Sequence, residues 1–400
     1  MVRGRWGRAA VACAALVSLA ACTAEGATAV GGQPGSTSAP ATSTTPVTPL
    51  SLAVSPANTA ADVAPGEPVT ISAAGGKITQ AGVTGEDGRV VAGALSADGA
   101  TWATTEGLGY GKTYTATATA LDAAGKSTTA TSTFTTVTPR RQTALSMNPL
   151  DGQVVGVGQV FAFYFDTAIA DKAAAEKAIK VVTTPNAVEG AFHWFSDKEV
   201  HWRPKEYLPA HSTVTISAAI YGKPLGNGVY GRADRNATIT VGDSVVAVAD
   251  GATHQMTVTV NGVLARTIPI SMGKKAHETP AGTYTVMSEH RDYTMDSSTY
   301  GVPADSAAGY RTKVEVASRM SNSGIFYHSA PWSVRDQGAR NVSHGCINMT
   351  TEAANWLQSI SNKGDVIVVQ NSGGPVLEAW DGLSDWQIPW ETYKQGGKRG

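Results

Sequence analysis

The chain has 400 residues, 42% of them apolar and 16% charged, with a formal net charge of −1. That length exceeds a single core and predicts two to four domains, and the apolar share excludes a disordered polymer. Without the three leader arginines identified below, 28 basic residues face 32 acidic ones, a balance that gives no reason to expect nucleic acid as a partner.

Residues 1–22 read as an export signal. Arg3, Arg5 and Arg8 precede an apolar run over 9–21, which ends in Leu19-Ala20-Ala21-Cys22. This run is short for a permanent membrane span. Small residues before Cys22 resemble a lipobox, so Cys22 is the expected lipidation site, placing the protein on the outer face of the cell membrane. An ordinary signal peptide with a coincidental Cys is the alternative. Residues 23–48 are rich in Gly, Ser, Thr, Ala and Pro and are expected to form a disordered tether. Once Cys13 and Cys22 are set aside, Cys346 is the remaining free thiol, and no internal disulfide can form.

Residues 49–138 alternate Thr, Val and Ala between Gly-rich turns, with period-2 stretches at 113–118 and 131–135. An immunoglobulin-like β-sandwich is expected, though neither a Cys pair nor a diagnostic Trp marks it. A second such unit is expected over 139–242, with strands at 160–164, 199–202 and 213–218. One helix is predicted over 171–180, where Glu176 precedes Lys180 by four residues. Both units read as stalk or spacer.

A third unit, 243–370, opens with a hairpin around Asn261-Gly262. Strands follow at 282–287, 313–317, 324–328 and 365–370, and a helix carries Ala353, Trp356, Leu357 and Ile360 on one face. The tail, 371–400, holds Trp380, Trp386, Trp390 and Tyr393, expected to pack on this third unit. The fold class is mainly β: two immunoglobulin-like sandwiches, then a β-rich unit with one main helix.

Chemistry concentrates at Ser343-His344-Gly345-Cys346-Ile347-Asn348, with His328 fourteen intervening residues before Ser343. A thiol becomes a nucleophile when a neighbouring His and converging N–H groups favour its thiolate. Residues two apart on an extended segment share a side, so His344 is expected beside Cys346. Gly345 permits a tight path. Two His and one Cys also suit zinc, and a lone Cys is commonly an inert small hydrophobe.

This spacing, together with Thr279-Pro280-Ala281-Gly282-Thr283-Tyr284, resembles the L,D-transpeptidases and their YkuD-like catalytic domain. The wider plan resembles the mycobacterial type. The resemblance implies Cys346 as nucleophile, His328 as base and the Ser329 carbonyl as its orienter. It implies that His344 and Ser343 shape the site and that Asn348 positions substrate or backbone. Tyr310 would join the N–H groups of Gly345 and Cys346 in an oxyanion hole, and Met295, Tyr300 and Trp332 would line the substrate path. Neither metal nor cofactor is implied.

The implied partners are peptidoglycan stems, a tetrapeptide donor and a diamino-acid acceptor, with carbapenems as acylating inhibitors. An L,D-carboxypeptidase would use the same residues. A non-catalytic cell-wall binding protein would leave the thiol unreactive, and a protein-anchoring enzyme would use the same thioester.

Overall fold

The computed structural model describes residues 48–306 and 309–398. The leader, Cys22 and residues 23–47 of the tether lie outside the described residues.

Two four-stranded sheets form the first sandwich. One contains Ser51–Ser55, Thr70–Ala74, Thr101–Thr104 and Gly93–Leu95; the other contains Val90–Val91, Gly76–Gly85, Thr113–Asp122 and Ser127–Thr135. Along Thr113–Asp122, Tyr114, Ala116, Ala118 and Ala120 are buried between more accessible threonines, the alternation expected of a strand with one face on a core. Cross-strand hydroxyl pairs, Thr115 with Thr133 and Thr119 with Thr129, each at 3.2 Å, line the outer face. A core tryptophan is present after all. Trp102 is buried over Gly93, where a Cβ would come within 2.0 Å of the indole.

The second sandwich repeats this packing. Its sheets are Leu145–Asn148, Phe161–Phe165, Glu199–Pro204 and Gly190–Ser196, and Val154–Val155, Arg235–Val241, Thr213–Ala218 and Ile179–Thr184. Trp202 lies over Gly190, where a Cβ would come within 1.9 Å of the ring. The predicted helix is shorter, Lys172–Ala178, capped by the Asp171 carboxylate accepting the Ala174 N–H at 2.9 Å. Lys180 lies in the following strand, so the Glu176–Lys180 spacing is not a helical one. The Glu176 carboxylate instead accepts the Trp194 indole N–H at 2.8 Å.

The third unit has two sheets. A five-stranded sheet runs in the order Val263–Pro269, Gln255–Val260, Val245–Asp250, Val366–Gln370, Gly282–Thr285. A four-stranded sheet runs Ser288–Asp296, Arg311–Arg319, Phe326–Ser329, Ile347–Met349. Asn261 and Gly262 both take positive φ, 49° and 78°, the left-handed pair that a two-residue hairpin turn needs. The Thr351–Ile360 helix is capped by the Thr350 hydroxyl, which accepts the Ala353 N–H at 3.1 Å. It buries Ala353, Ala354 and Leu357, with Trp356 and Ile360 packed beside them.

The tail departs from expectation. Its first part meets the third unit: Leu377 N–H donates to the Ala281 carbonyl at 2.8 Å, and the Asp381 carboxylate accepts the Ser323 N–H at 2.7 Å. The aromatic part packs on the second sandwich instead. The Arg203 guanidinium lies 4.7 Å from the Trp386 ring, 5.3 Å from Trp390 and 4.3 Å from Tyr393. A buried guanidinium on the outer side of the sandwich, covered by the tail, draws these aromatic faces, a bias periodicity cannot reveal. Trp380 stays 65% exposed.

Candidate active site

His328 is the penultimate residue of the Phe326–Ser329 strand, which pairs antiparallel with Arg311–Arg319 and parallel with Ile347–Met349. In that register His328 lies opposite Asn348, and Cys346 stands one residue before the Ile347 strand. The fourteen-residue gap between His328 and Ser343 is thus the crossover joining two neighbouring parallel strands. It brings imidazole and thiol to the same sheet end.

The thiol sits on a tightly pinned loop. Gly345 has φ 123°, a region L-side chains rarely adopt, and a Cβ there would meet Ile325 Cδ1 at 3.0 Å. The Ser343 hydroxyl accepts the Gly345 N–H at 3.0 Å and donates to the Cys346 carbonyl at 2.6 Å. From outside, the Thr279 hydroxyl donates to the Gly345 carbonyl at 2.7 Å and accepts the Gly273 N–H at 2.9 Å. Thr279 is fully buried. It belongs to the Thr-Pro-Ala-Gly-Thr-Tyr segment, yet nothing in its spacing assigns it to the cysteine loop.

Cys346 is 6% exposed, and its thiol donates weakly to the Gly324 carbonyl at 3.5 Å. Burial pushes this thiol up to about 12, with the Phe326 backbone acting against the rise. His328 Nδ1 donates to the Ser329 carbonyl at 3.0 Å, which leaves Nε2 as the acceptor nitrogen. Burial pushes His328 down to about 4, and the bond to Ser329 only partly opposes that. Burial therefore favours the neutral form of both thiol and imidazole. The Ser329 hydroxyl, for its part, accepts the Glu315 and Val316 N–H groups, each at 3.2 Å.

A cleft of about 360 Å³ opens on this pair, lined by Cys346, His328, His344, Ser343 and Asn348 with Met295, Tyr310 and Trp332. Trp332 is 54% exposed and stacks on His328 with ring centroids 5.9 Å apart. Asn348 Nδ2 donates to the Ser333 hydroxyl at 3.0 Å, while its buried Oδ1 has no partner among the described residues. Burial and the nearby Cys346 push the Tyr310 phenol up, keeping it a proton donor.

Three expectations change. His344 is exposed while Cys346 is buried, because the positive φ of Gly345 breaks the extended path between them. Its ring meets Lys274, whose Nζ is 3.2 Å from His344 Nε2. Tyr300 does not line the cleft; its ring packs against Phe326 and over Gly324, under the Arg319 guanidinium 5.5 Å away. The Gly345 N–H is committed to Ser343, so of the two expected backbone oxyanion donors only the Cys346 N–H has no described partner. Among the described residues, no three of His, Cys, Asp and Glu form a group suited to a metal ion.

Residues 60–224 match the bacterial Ig domain family, and residues 244–369 match the L,D-transpeptidase catalytic domain, YkuD. Sandwiches followed by such a domain define the class, an L,D-transpeptidase-type enzyme carrying immunoglobulin-like modules. The chain is 46% identical to L,D-transpeptidase 2 of Mycobacterium tuberculosis over 329 residues, 82% of this chain and 80% of that protein. It is 35% identical to L,D-transpeptidase 5 of the same species, over 86% of this chain and 76% of that one. The chain belongs to the L,D-transpeptidase family. Among solved structures, an L,D-transpeptidase in complex with imipenem superposes with a TM-score of 0.49 at 37% identity, covering 56% of this chain and 97% of its own. One from Mycobacterium smegmatis gives 0.47 at 34%, covering 57% and 99%.

Proposed function

We propose that the protein forms 3→3 peptidoglycan cross-links through a thioester on Cys346. The supporting observation is the shared cleft: a loop-pinned thiol and an imidazole whose Nδ1 is tied to the Ser329 carbonyl, leaving Nε2 free to accept a proton.

His328 Nε2 takes the thiol proton as sulfur bonds to the carbonyl between the diamino acid and the terminal D-Ala of a donor stem. The Cys346 N–H and the Tyr310 hydroxyl stabilise the oxyanion. The carbonyl–nitrogen bond then breaks, His328 returns the proton to the departing nitrogen, and D-Ala leaves. An amine of a second stem attacks the thioester, gives a proton to His328, and restores the thiol. Ser343 and Gly345 set the loop, His344 and Asn348 flank the substrate, and Met295 and Trp332 bound its path. Carbapenems would acylate the same sulfur. A lipid on Cys22 would hold the enzyme at the outer membrane face, with the sandwiches as spacers.

Incubation with a disaccharide-tetrapeptide tests the reaction. A 3→3 dimer and free D-Ala are expected, neither of them from Cys346→Ala. Tripeptide without dimer would mean a carboxypeptidase.

A further inference from the structure

The turn formed by residues 274–277 lies against the outer side of the cysteine loop. Lys274 N–H donates to the Ser343 carbonyl at 3.0 Å, and His277 N–H donates to the Lys274 carbonyl at 2.7 Å. A Cβ on Gly345 would come 4.0 Å from the His277 carbonyl oxygen. Backbone contacts therefore fix this turn beside the residue that precedes Cys346.

Its side chains converge on His344. Lys274 Nζ is 3.2 Å from His344 Nε2, and the His277 and His344 rings are 5.0 Å apart. An ammonium only donates, so Nε2 accepts and the ring proton of His344 sits on Nδ1, free to donate elsewhere. No described salt bridge reaches Lys274. Asp336, the acidic residue in the cleft lining, is taken by Arg340 at 2.6 Å. A basic group and two imidazoles thus gather around His344, a lining residue of the cleft, with no salt-bridged anion for Lys274 among the described residues, an arrangement that concentrates an incoming anion.

We propose that Lys274, with His277 and His344, is a carboxylate subsite that holds the free α-carboxylate of the amino acid expelled from the donor stem. This rests on the function proposed above. In such a substrate the carboxylate carbon lies two bonds beyond the scissile nitrogen, about 4 Å from the attacked carbonyl carbon. His344 is two residues from Cys346 and lines the same cleft, so a donor whose carbonyl is over Cys346 would direct its terminal carboxylate toward the groups around His344. The Lys274 ammonium supplies the charge, and the imidazoles supply directed donors.

The test compares two synthetic tetrapeptide stems, one ending in a free carboxylate and one in a carboxamide, with the full chain and its Lys274→Met, Lys274→Arg and Lys275→Met variants. The natural chain should prefer the carboxylate by about tenfold or more in kcat/KM, the scale of one charge-assisted contact. Lys274→Met should erase most of that preference through KM. Lys274→Arg and the exposed neighbour Lys275→Met should keep it. Equal use of both stems by the natural chain, or an undiminished preference in Lys274→Met, overturns the subsite. So does a preference that follows the diamino acid's side-chain carboxylate instead. Turnover of neither stem defeats the function proposal and this inference with it.

Discussion

Thr279 donates its hydroxyl to the Gly345 carbonyl at 2.7 Å across a separation of 66 residues, and the same oxygen accepts the Gly273 N–H. One buried side chain thereby ties the start of the third unit to the peptide that precedes the thiol. Because Gly345 sits at φ 123°, its carbonyl direction is a choice the loop must be held to. Thr279→Val keeps the shape but strands a buried N–H and a buried carbonyl, at a cost of about 1–3 kcal/mol each. Cross-linking by Thr279→Val should fall by more than tenfold in kcat, whereas Thr279→Ser, which keeps the hydroxyl, should stay near the natural rate. Steady-state kinetics of both variants, with melting curves to establish folding, decide this.

Burial favours a neutral resting site, and alkylation can read that. With burial holding Cys346 up to about 12 and His328 down to about 4, an imidazolium–thiolate pair is disfavoured in the free enzyme. Below the thiol's own value each pH unit raises the thiolate fraction tenfold. The iodoacetamide rate at Cys346 should therefore climb steadily from pH 6 to pH 9. A flat rate across that range would show a preformed ion pair.

His201 and Asp385 provide a pH-sensitive clamp between the second sandwich and the tail. The His201 Nδ1 is 3.0 Å from Asp385 Oδ1, and Tyr393 donates to Asp385 Oδ2 at 2.8 Å. Burial opposes the imidazolium, yet the Asp385 carboxylate, helped by Glu199, holds His201 up to about 9. A raised folded-state value gives stability that is complete below the unfolded value near 6.5 and is lost as pH rises through about 9. The swing amounts to roughly 3 kcal/mol. Denaturant unfolding should show the natural protein losing about that much between pH 6.5 and pH 9, with His201→Gln losing far less.

Both sandwiches depend on a glycine under a tryptophan. A Cβ at Gly93 would lie 2.0 Å from Trp102, and one at Gly190 would lie 1.9 Å from Trp202. Gly93→Ala should destabilise the first sandwich by about 1–3 kcal/mol through overpacking. Because the Cys346 cleft has no residue from that sandwich, acylation at Cys346 should be unchanged. Calorimetry and a mass-resolved acylation assay separate the two effects.

Local signals explain what could be read without coordinates. Asn261-Gly262 marks its hairpin because few residue pairs accept two left-handed conformations, and alternating Tyr114, Ala116 and Ala118 mark a one-sided strand. The spacing of His328 from the cysteine motif reflects a short crossover between paired strands. Other features are set by partners remote in sequence. Thr279 meets Gly345 only through the fold, and Arg203 draws Trp386 and Tyr393 onto the second sandwich. His344 lines the same cleft as Cys346 but is exposed where the thiol is buried, because the positive φ of Gly345, a tertiary outcome, interrupts the extended path between them. Tyr300 has the composition of a pocket residue, yet it packs behind the thiol against Phe326.

The central claim is that Cys346 carries the donor stem as a thioester, and intact-mass spectrometry of the full chain with a disaccharide-tetrapeptide tests it most directly. In the absence of an acceptor amine the protein should gain the mass of the stem less its terminal D-Ala, mapped to Cys346 and discharged as a 3→3 dimer when acceptor is added. Cross-linked product formed by Cys346→Ala, or an adduct on any other residue, would contradict the account.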